Sequence, residues 1–198
     1  MQSTTKNRFR RFAAPCALLA LLLLFAGCGG TLYKVKPRVD APMTGSREAS
    51  AGGFQVRAVP LLTDEESQEL FEANLPLAGL LPVQVEMSND SGAQLSFKRV
   101  RFQLHDGEGR VWKMRTAKQA VSRILDSDEV YLYNPNSRKK FEEEVGAHTF
   151  DLTAPLEAGQ QRRGLIFFQT PKKEQVASPS HLVLTIEGLP QPVAVTLN

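Results

Sequence analysis

From Phe54 onward the chain is dominated by alternation of apolar and polar positions. Val83, Val85 and Met87 interleave with Gln84, Glu86 and Ser88, a period of two that sends successive side chains to opposite faces of a strand. The run stops at Asn89-Asp90-Ser91-Gly92, a turn signal. Beyond it Leu95 and Phe97 fall on one parity and Val100, Phe102 and Leu104 on the other. Such a parity shift within one strand predicts a bulge, because one extra residue flips the side chains that follow. His105-Asp106-Gly107-Glu108-Gly109 predicts a hairpin turn into Val111-Trp112-Lys113-Met114. Shorter runs at 54–58, 149–152, 164–169, 182–186 and 193–197 bring the total to about eight strands, which predicts a mainly β domain built as an antiparallel β-sandwich.

Three segments depart from this rhythm and predict short inserted helices. Thr63-Asp64-Glu65-Glu66 is a capping-box pattern ahead of Leu70 and Phe71, with acids in the first turn where the helix dipole favours them. Ala117, Ala120, Val121, Ile124 and Leu125 recur at helical spacing, with Arg115 or Thr116 at the start. In the third segment, 137–145, Phe141 and Val145 lie one turn apart, and Arg138, Lys139 and Lys140 each precede an acid by four positions. Base before acid is the weaker orientation and opposes the dipole. A helix here must be held by packing, or be short and irregular.

The N-terminus changes the picture. Lys6, Arg8, Arg10 and Arg11 precede an apolar run over 17–25, the layout of a signal peptide and too short to span a bilayer. The run ends in Phe25-Ala26-Gly27-Cys28, which resembles the lipobox of bacterial lipoproteins, with Phe25 where an aliphatic residue is usual. The resemblance implies cleavage before Cys28 and acylation of that cysteine, so that residues 1–27 are a lipoprotein signal peptide. Several acyl chains at about 0.8 kcal/mol per buried methylene hold a protein firmly on a membrane. Gly29 is not the aspartate associated with inner-membrane retention, so the expected location is the cell envelope, lipid-anchored, in the outer membrane if the source is Gram-negative. Residues 28–53, rich in Gly, Pro and Ser, read as a lipidated N-terminus and flexible tether with a span of about 25 to 30 Å. Within it Leu32-Tyr33-Lys34-Val35 alternates and could instead dock as a short strand. Residues 54–198 then form the β-sandwich domain.

Processing also alters the charge and the chemistry. Four of the chain's 24 basic residues and none of its 21 acidic ones lie in the signal, leaving a mature charge of −1. Recruitment of nucleic acid by net charge is therefore unsupported. Cys16 lies within the signal and Cys28 would carry lipid, so no thiol remains for disulfides, metals or nucleophilic catalysis.

Leu81-Pro82-Val83-Gln84-Val85-Glu86-Met87-Ser88-Asn89 resembles the early strand of immunoglobulin-like domains found in many bacterial lipoproteins of unknown function. Leu156-Glu157-Ala158-Gly159-Gln160, followed by Gly164-Leu165-Ile166-Phe167-Phe168, is similar to the turn and late strand of those domains. The resemblance implies an immunoglobulin-like β-sandwich with the inserted helices as additions, and brings no assigned activity.

His105, His148 and His181 are isolated, without the spacing of a zinc site. His105 and Asp106 are neighbours that a strand would point to opposite faces. Asp126, Asp128 and Glu129 cluster oxygen ligands but lack the spacing and glycine of a calcium loop. No metal or other cofactor is expected. The binding candidates are aromatic: Tyr131 and Tyr133 would share one face of a strand over 129–133, opposite Val130 and Leu132, and Trp112 lies on a separate strand. The commoner role for such rings is to cover the core beneath the inserted helices.

The expectation is a membrane-anchored lipoprotein, attached through its N-terminal lipid, that is not an enzyme and has a binding or envelope-assembly role toward an envelope protein or glycan. A carbohydrate or cell-wall binding module is the first alternative and requires Trp112, Tyr131 and Tyr133 to be exposed together. An enzyme is the second and requires a pocket uniting a histidine with carboxylates.

Overall fold

In the computed structural model the alternation at 83–88 extends in both directions into the longest strand. The structure describes residues 32–37, 43–131 and 133–198; the signal segment, Cys28 and Leu132 lie outside the described residues. Among them, in chain order, are β1 (Arg47–Ala51), β2 (Phe54–Pro60), α1 (Asp64–Phe71), β3 (Leu80–Asn89), β4 (Arg101–His105), β5 (Val111–Arg115), α2 (Ala117–Ser127), α3 (Pro135–His148), β6 (Gln161–Gln169), β7 (Val183–Glu187) and β8 (Val193–Thr196). The strands form one antiparallel ladder in the order β1-β2-β3-β6-β5-β4-β7-β8. Its two ends come side by side, so the sheet is nearly closed into a barrel. β5 is shared: Val111 and Trp112 pair with β4, whereas Lys113, Met114 and Arg115 pair with β6.

The inner face carries the alternation read from the sequence. Phe54, Val56 and Ala58 of β2, Leu81, Val83, Val85 and Met87 of β3, Leu104 of β4 and Ile186 of β7 meet in one buried cluster. The outer face of β3 and β6 is buried as well over part of its length, where Leu80, Leu165 and Phe167 pack beneath Phe71 of α1, Val121 and Ile124 of α2, and Phe141 and Val145 of α3. A fold with a covered outer sheet face holds two cores.

The helices start where their caps dictate. Thr63 accepts from the Glu66 amide while the Glu66 carboxylate accepts from the Thr63 amide, and Thr116 and Gln119 repeat this box on α2. Each box satisfies two otherwise orphaned donors. In α3, Asn134 caps the amides of Asn136 and Ser137, and Pro135 takes the first turn, where its missing N–H costs nothing. α3 is a regular fourteen-residue helix. Its pairs Arg138–Glu142, Lys139–Glu143 and Lys140–Glu144 close at 2.9, 3.7 and 3.6 Å, but exposed pairs of this kind contribute little. Buried Phe141 and Val145 hold the helix in place.

Three expectations are corrected. The parity shift between Leu95 and Val100 is made by a 3-10 turn, Phe97–Arg99, begun by the Ser96 hydroxyl, and not by a bulge. The run 149–152 joins no ladder: Thr149 makes an isolated parallel bridge to Leu165, and the Phe150 amide donates to the Leu165 carbonyl at 2.9 Å. β5 reaches β6 only at residues 167–169, leaving this stretch of β6 to Phe150, which drops its ring into the inner core. Residues 47–51, assigned from sequence to the tether, are strand β1, paired along its whole length with β2.

The crossing at β6 leaves no room for a side chain at Gly164, where an added Cβ would stand 2.4 Å from both the Cα and the N of Phe150. Gly164→Ala is expected to destabilise the protein by about 2 kcal/mol or more, since backbone must yield to backbone. Urea unfolding of the two forms measures this, and an unchanged midpoint would contradict the packing described.

Candidate functional site

Where the helices stop covering β3 and β6, a cleft of about 330 Å³ opens on the outer sheet face. Its floor is Gln84, Gly164 and Leu165, one wall is α1 with Glu66, Glu69 and Leu70, and the other is formed by Lys36, Pro37 and His148. The cleft thus unites His148 with the carboxylates of Glu66 and Glu69, the combination an enzyme would require, opposite apolar Leu61, Leu70 and Leu165, and these polar groups are engaged within the fold. Lys36 Nζ pairs with Glu69 at 3.0 Å, the Glu66 carboxylate closes the capping box of α1, and His148 Nε2 donates to the Lys36 carbonyl at 2.8 Å. The edge of Phe71 packs against the His148 ring at 5.8 Å between centroids.

Arg163 belongs to a charge row beneath the cleft. Arg57, Glu86 and Arg163 are direct cross-strand partners on β2, β3 and β6. Glu86 is 5 % exposed; its Oε1 accepts from Arg57 Nη1 at 3.2 Å, and its Oε2 accepts from Arg163 Nε at 2.8 Å and from Arg163 Nη2. A buried carboxylate is tolerated when its lone pairs are met by fixed cationic donors.

The wall containing Lys36 is a strap, residues 33–37, that the sequence placed in the tether. Tyr33 is 6 % exposed, stacked on Phe141 at 4.7 Å between centroids and edge-on to Tyr133 at 6.1 Å. Its hydroxyl donates to Asp128 Oδ2 at 2.6 Å. Burial, then this hydrogen bond, push the phenol well above its usual range and keep it protonated. The Lys36 amide donates to the Leu70 carbonyl at 2.9 Å. The alternation at 32–35 marks a segment that docks without forming a strand.

The three aromatic candidates are not brought together. Trp112 is 2 % exposed in the inner core, with its indole N–H donating to Asp106 Oδ2 at 2.8 Å. Tyr131 is 78 % exposed. Tyr133 is half-buried against Tyr33, and its hydroxyl is a buried oxygen with no hydrogen-bond partner. Residues 129–131 and 133 lie in no strand but between α2 and α3, where Glu129 takes a positive φ of 55°. The exposed three-ring surface required for glycan stacking is therefore not formed. Among the described residues no group of three or more metal-ligating side chains is assembled; His105 ends β4, His148 ends α3 and His181 lies in the loop before β7.

Glu86, Arg163 and Lys36 carry the site and were not singled out in the sequence; His148, which joins them, was weighed there only as a zinc ligand. Glu86 had a visible signal, a carboxylate between Val85 and Met87 in the strongest alternating run. Its partners depend on strand register, which one sequence does not display.

No family model and none of the curated proteins match the chain. Two solved structures are similar to it at a low level. One is a conserved hypothetical protein from Bacillus anthracis, 12% identical with a TM-score of 0.38, the match covering 75% of this chain and 92% of that one. The other is the secreted protein MPT63 from Mycobacterium tuberculosis, 9% identical with a TM-score of 0.35, covering 74% and 87%. At this level neither likeness transfers a function.

The Asp106 turn generates a pH prediction. Burial by itself raises the Asp106 carboxyl, but hydrogen bonds from the Trp112 indole, the Arg110 guanidinium and the amides of Arg110 and Glu108 outweigh it and hold the group below the usual carboxylate range. A lowered folded value gives stability that is present above the unfolded value of about 3.9 and is lost as pH falls through the folded one. Asp106→Asn is expected to cost about 2 to 3 kcal/mol at pH 7, with the gap to wild type closing below about pH 4. Unfolding followed by Trp112 fluorescence from pH 7 to 2 tests it, and a gap independent of pH would rule it out.

The two tyrosines give a paired prediction. Tyr33→Phe removes the bond to Asp128 and is expected to lower stability by about 1 to 2 kcal/mol, whereas Tyr133→Phe removes an unpartnered hydroxyl and is expected to be neutral or stabilising. Thermal melts of both variants decide, and equal losses would contradict the assignment.

Proposed function

We propose that the protein is a lipid-anchored envelope lipoprotein whose globular part is a non-catalytic binding or assembly module, with the cleft between α1 and the strap as its docking surface. Lipobox-like Phe25-Ala26-Gly27-Cys28 supports the anchor, with the outer membrane as its location in a Gram-negative source. The observation that carries the binding role is the cleft: a mostly apolar surface around about 330 Å³, in which Lys36, Glu66, Arg163 and His148 are held by fold partners. Side chains fixed in this way present a shaped surface to a partner. Concave, mostly apolar sites with a few fixed polar groups are where partners dock.

The same proposal takes the ladder as an immunoglobulin-like sandwich, with the β1-β2-β3-β6 and β4-β7-β8 runs as its two sheets. The divided pairing of β5 supports this, because strands that change partners form the corners of packed sheets.

A photo-crosslinking residue at Leu70, on the cleft wall, is expected to yield a discrete adduct in intact envelopes, while the same probe at exposed Lys139 does not. Gln84→Trp, which fills the cleft floor, is expected to abolish the adduct with the thermal melt unchanged. Equal adducts from both probes, or an adduct that survives the filled cleft, would remove the cleft as the docking surface.

A further inference from the structure

The docked strap fixes how far the globular part can stand from its anchor. Tyr33 is clamped by Phe141, by Tyr133 and by the hydrogen bond to Asp128, and Lys36 is tied by its amide to α1 and by its carbonyl to His148. Only Gly29 to Leu32 separate Cys28 from that clamp. At about 3.5 Å per residue, Tyr33 lies at most about 18 Å from the Cys28 backbone. An undocked tether of about 24 residues would span roughly 25 to 30 Å on average and could reach much farther.

Acyl chains on Cys28 place that residue at the boundary of the hydrocarbon, beneath a headgroup layer of about 5 to 8 Å. Two of the groups that clamp Tyr33, Asp128 and Tyr133, flank the α2–α3 loop, and Tyr131 stands between them at 78 % exposure. A tyrosine combines an apolar ring with a polar tip, which suits the membrane interface. Resting on the lipid-anchor reading, we infer that the α2–α3 loop is the membrane-facing end of the domain and that Tyr131 lies in the phospholipid headgroup layer. Asp126, Asp128 and Glu129 surround it in sequence, so the loop fits a zwitterionic surface and is repelled by an anionic one. The opposite end of the strands is far away. Gly52, in the β1–β2 turn, lies against Gln191 of the β7–β8 turn, and the ten residues of β3 separate that end from Leu80 and the helices above it by about 30 Å.

The test uses the full-length acylated protein in phosphatidylcholine vesicles carrying quencher on the headgroups. Tyr131→Cys and Gln191→Cys are each labelled with a fluorophore, the Cys28 thiol being blocked by its acyl chain. Co-flotation with vesicles reports the anchor, and quenching reports the orientation. Strong quenching at position 131, little at 191, and loss of most of the position-131 signal on inserting twenty Gly/Ser residues between Gly30 and Thr31 are expected. Quenching at 131 should also weaken as phosphatidylserine is added. Protein that floats with the vesicles but is quenched equally at both positions, or is unaffected by the insertion, overturns the orientation alone. Protein that fails to float overturns the anchor and the orientation with it.

Discussion

The structure depends on one strand being buried on both faces. β3 lies between β2 and β6, its odd positions 81 to 87 pointing into the inner cluster while Leu80 and Pro82 of the even set are buried on the other side. A strand covered on both sides demands a second layer, and α1, α2, α3 and the strap supply it. The proline is placed where this is least costly: Pro82 accepts from the Leu61 amide just past the end of β2, so its missing N–H falls where the ladder is already ending. At Gln84 and Glu86 the cover stops. The cleft and the charge row are what the outer face becomes beyond the helices.

The buried charges follow the same logic of completed pairing. Glu86 sits between two guanidinia on adjacent strands, and Asp106 gathers an indole, a guanidinium and two amides within a hairpin turn. Each carboxylate is desolvated and each receives several directed donors, which is the condition under which buried charge is tolerated and positions are fixed. Both groups lock register. Glu86 aligns β2, β3 and β6, and Asp106 ties the turn after β4 to the start of the strand that bridges the two runs of the ladder.

What was legible in the sequence was whatever local periodicity and caps determine. The alternation at Val83, Val85 and Met87, the hairpin at Asp106, the capping box at Thr63 and the helical spacing of Ala120 to Leu125 all reflect interactions within a few residues. β1 was not legible because Arg47-Glu48-Ala49-Ser50-Ala51 contains no large apolar residue; it is held by pairing with β2 at the edge. Phe150 and Leu152 have the period of a strand, but their place was decided by how far β5 extends along β6. Trp112 stayed a binding candidate beside the commoner core role because its partner lies six residues back, across a turn whose geometry one sequence leaves open. The cleft was the least legible feature, since Lys36, Glu69, Gln84, His148 and Arg163 come from five separate segments.

The strap joins these levels. Tyr33 completes the second core by stacking on Phe141, and three residues later Lys36 forms a wall of the cleft and accepts from His148 at the end of α3. The two roles cannot be separated over so short a span. Withdrawing Tyr33 uncovers Phe141 and strands Asp128, and the same movement takes away the acceptor of His148 and the partner of Glu69. The second core and the cleft therefore share one segment of chain. That segment lies directly after the residues that lead from Cys28, so the integrity of the cleft and the position of the chain entering the domain are set by the same contacts.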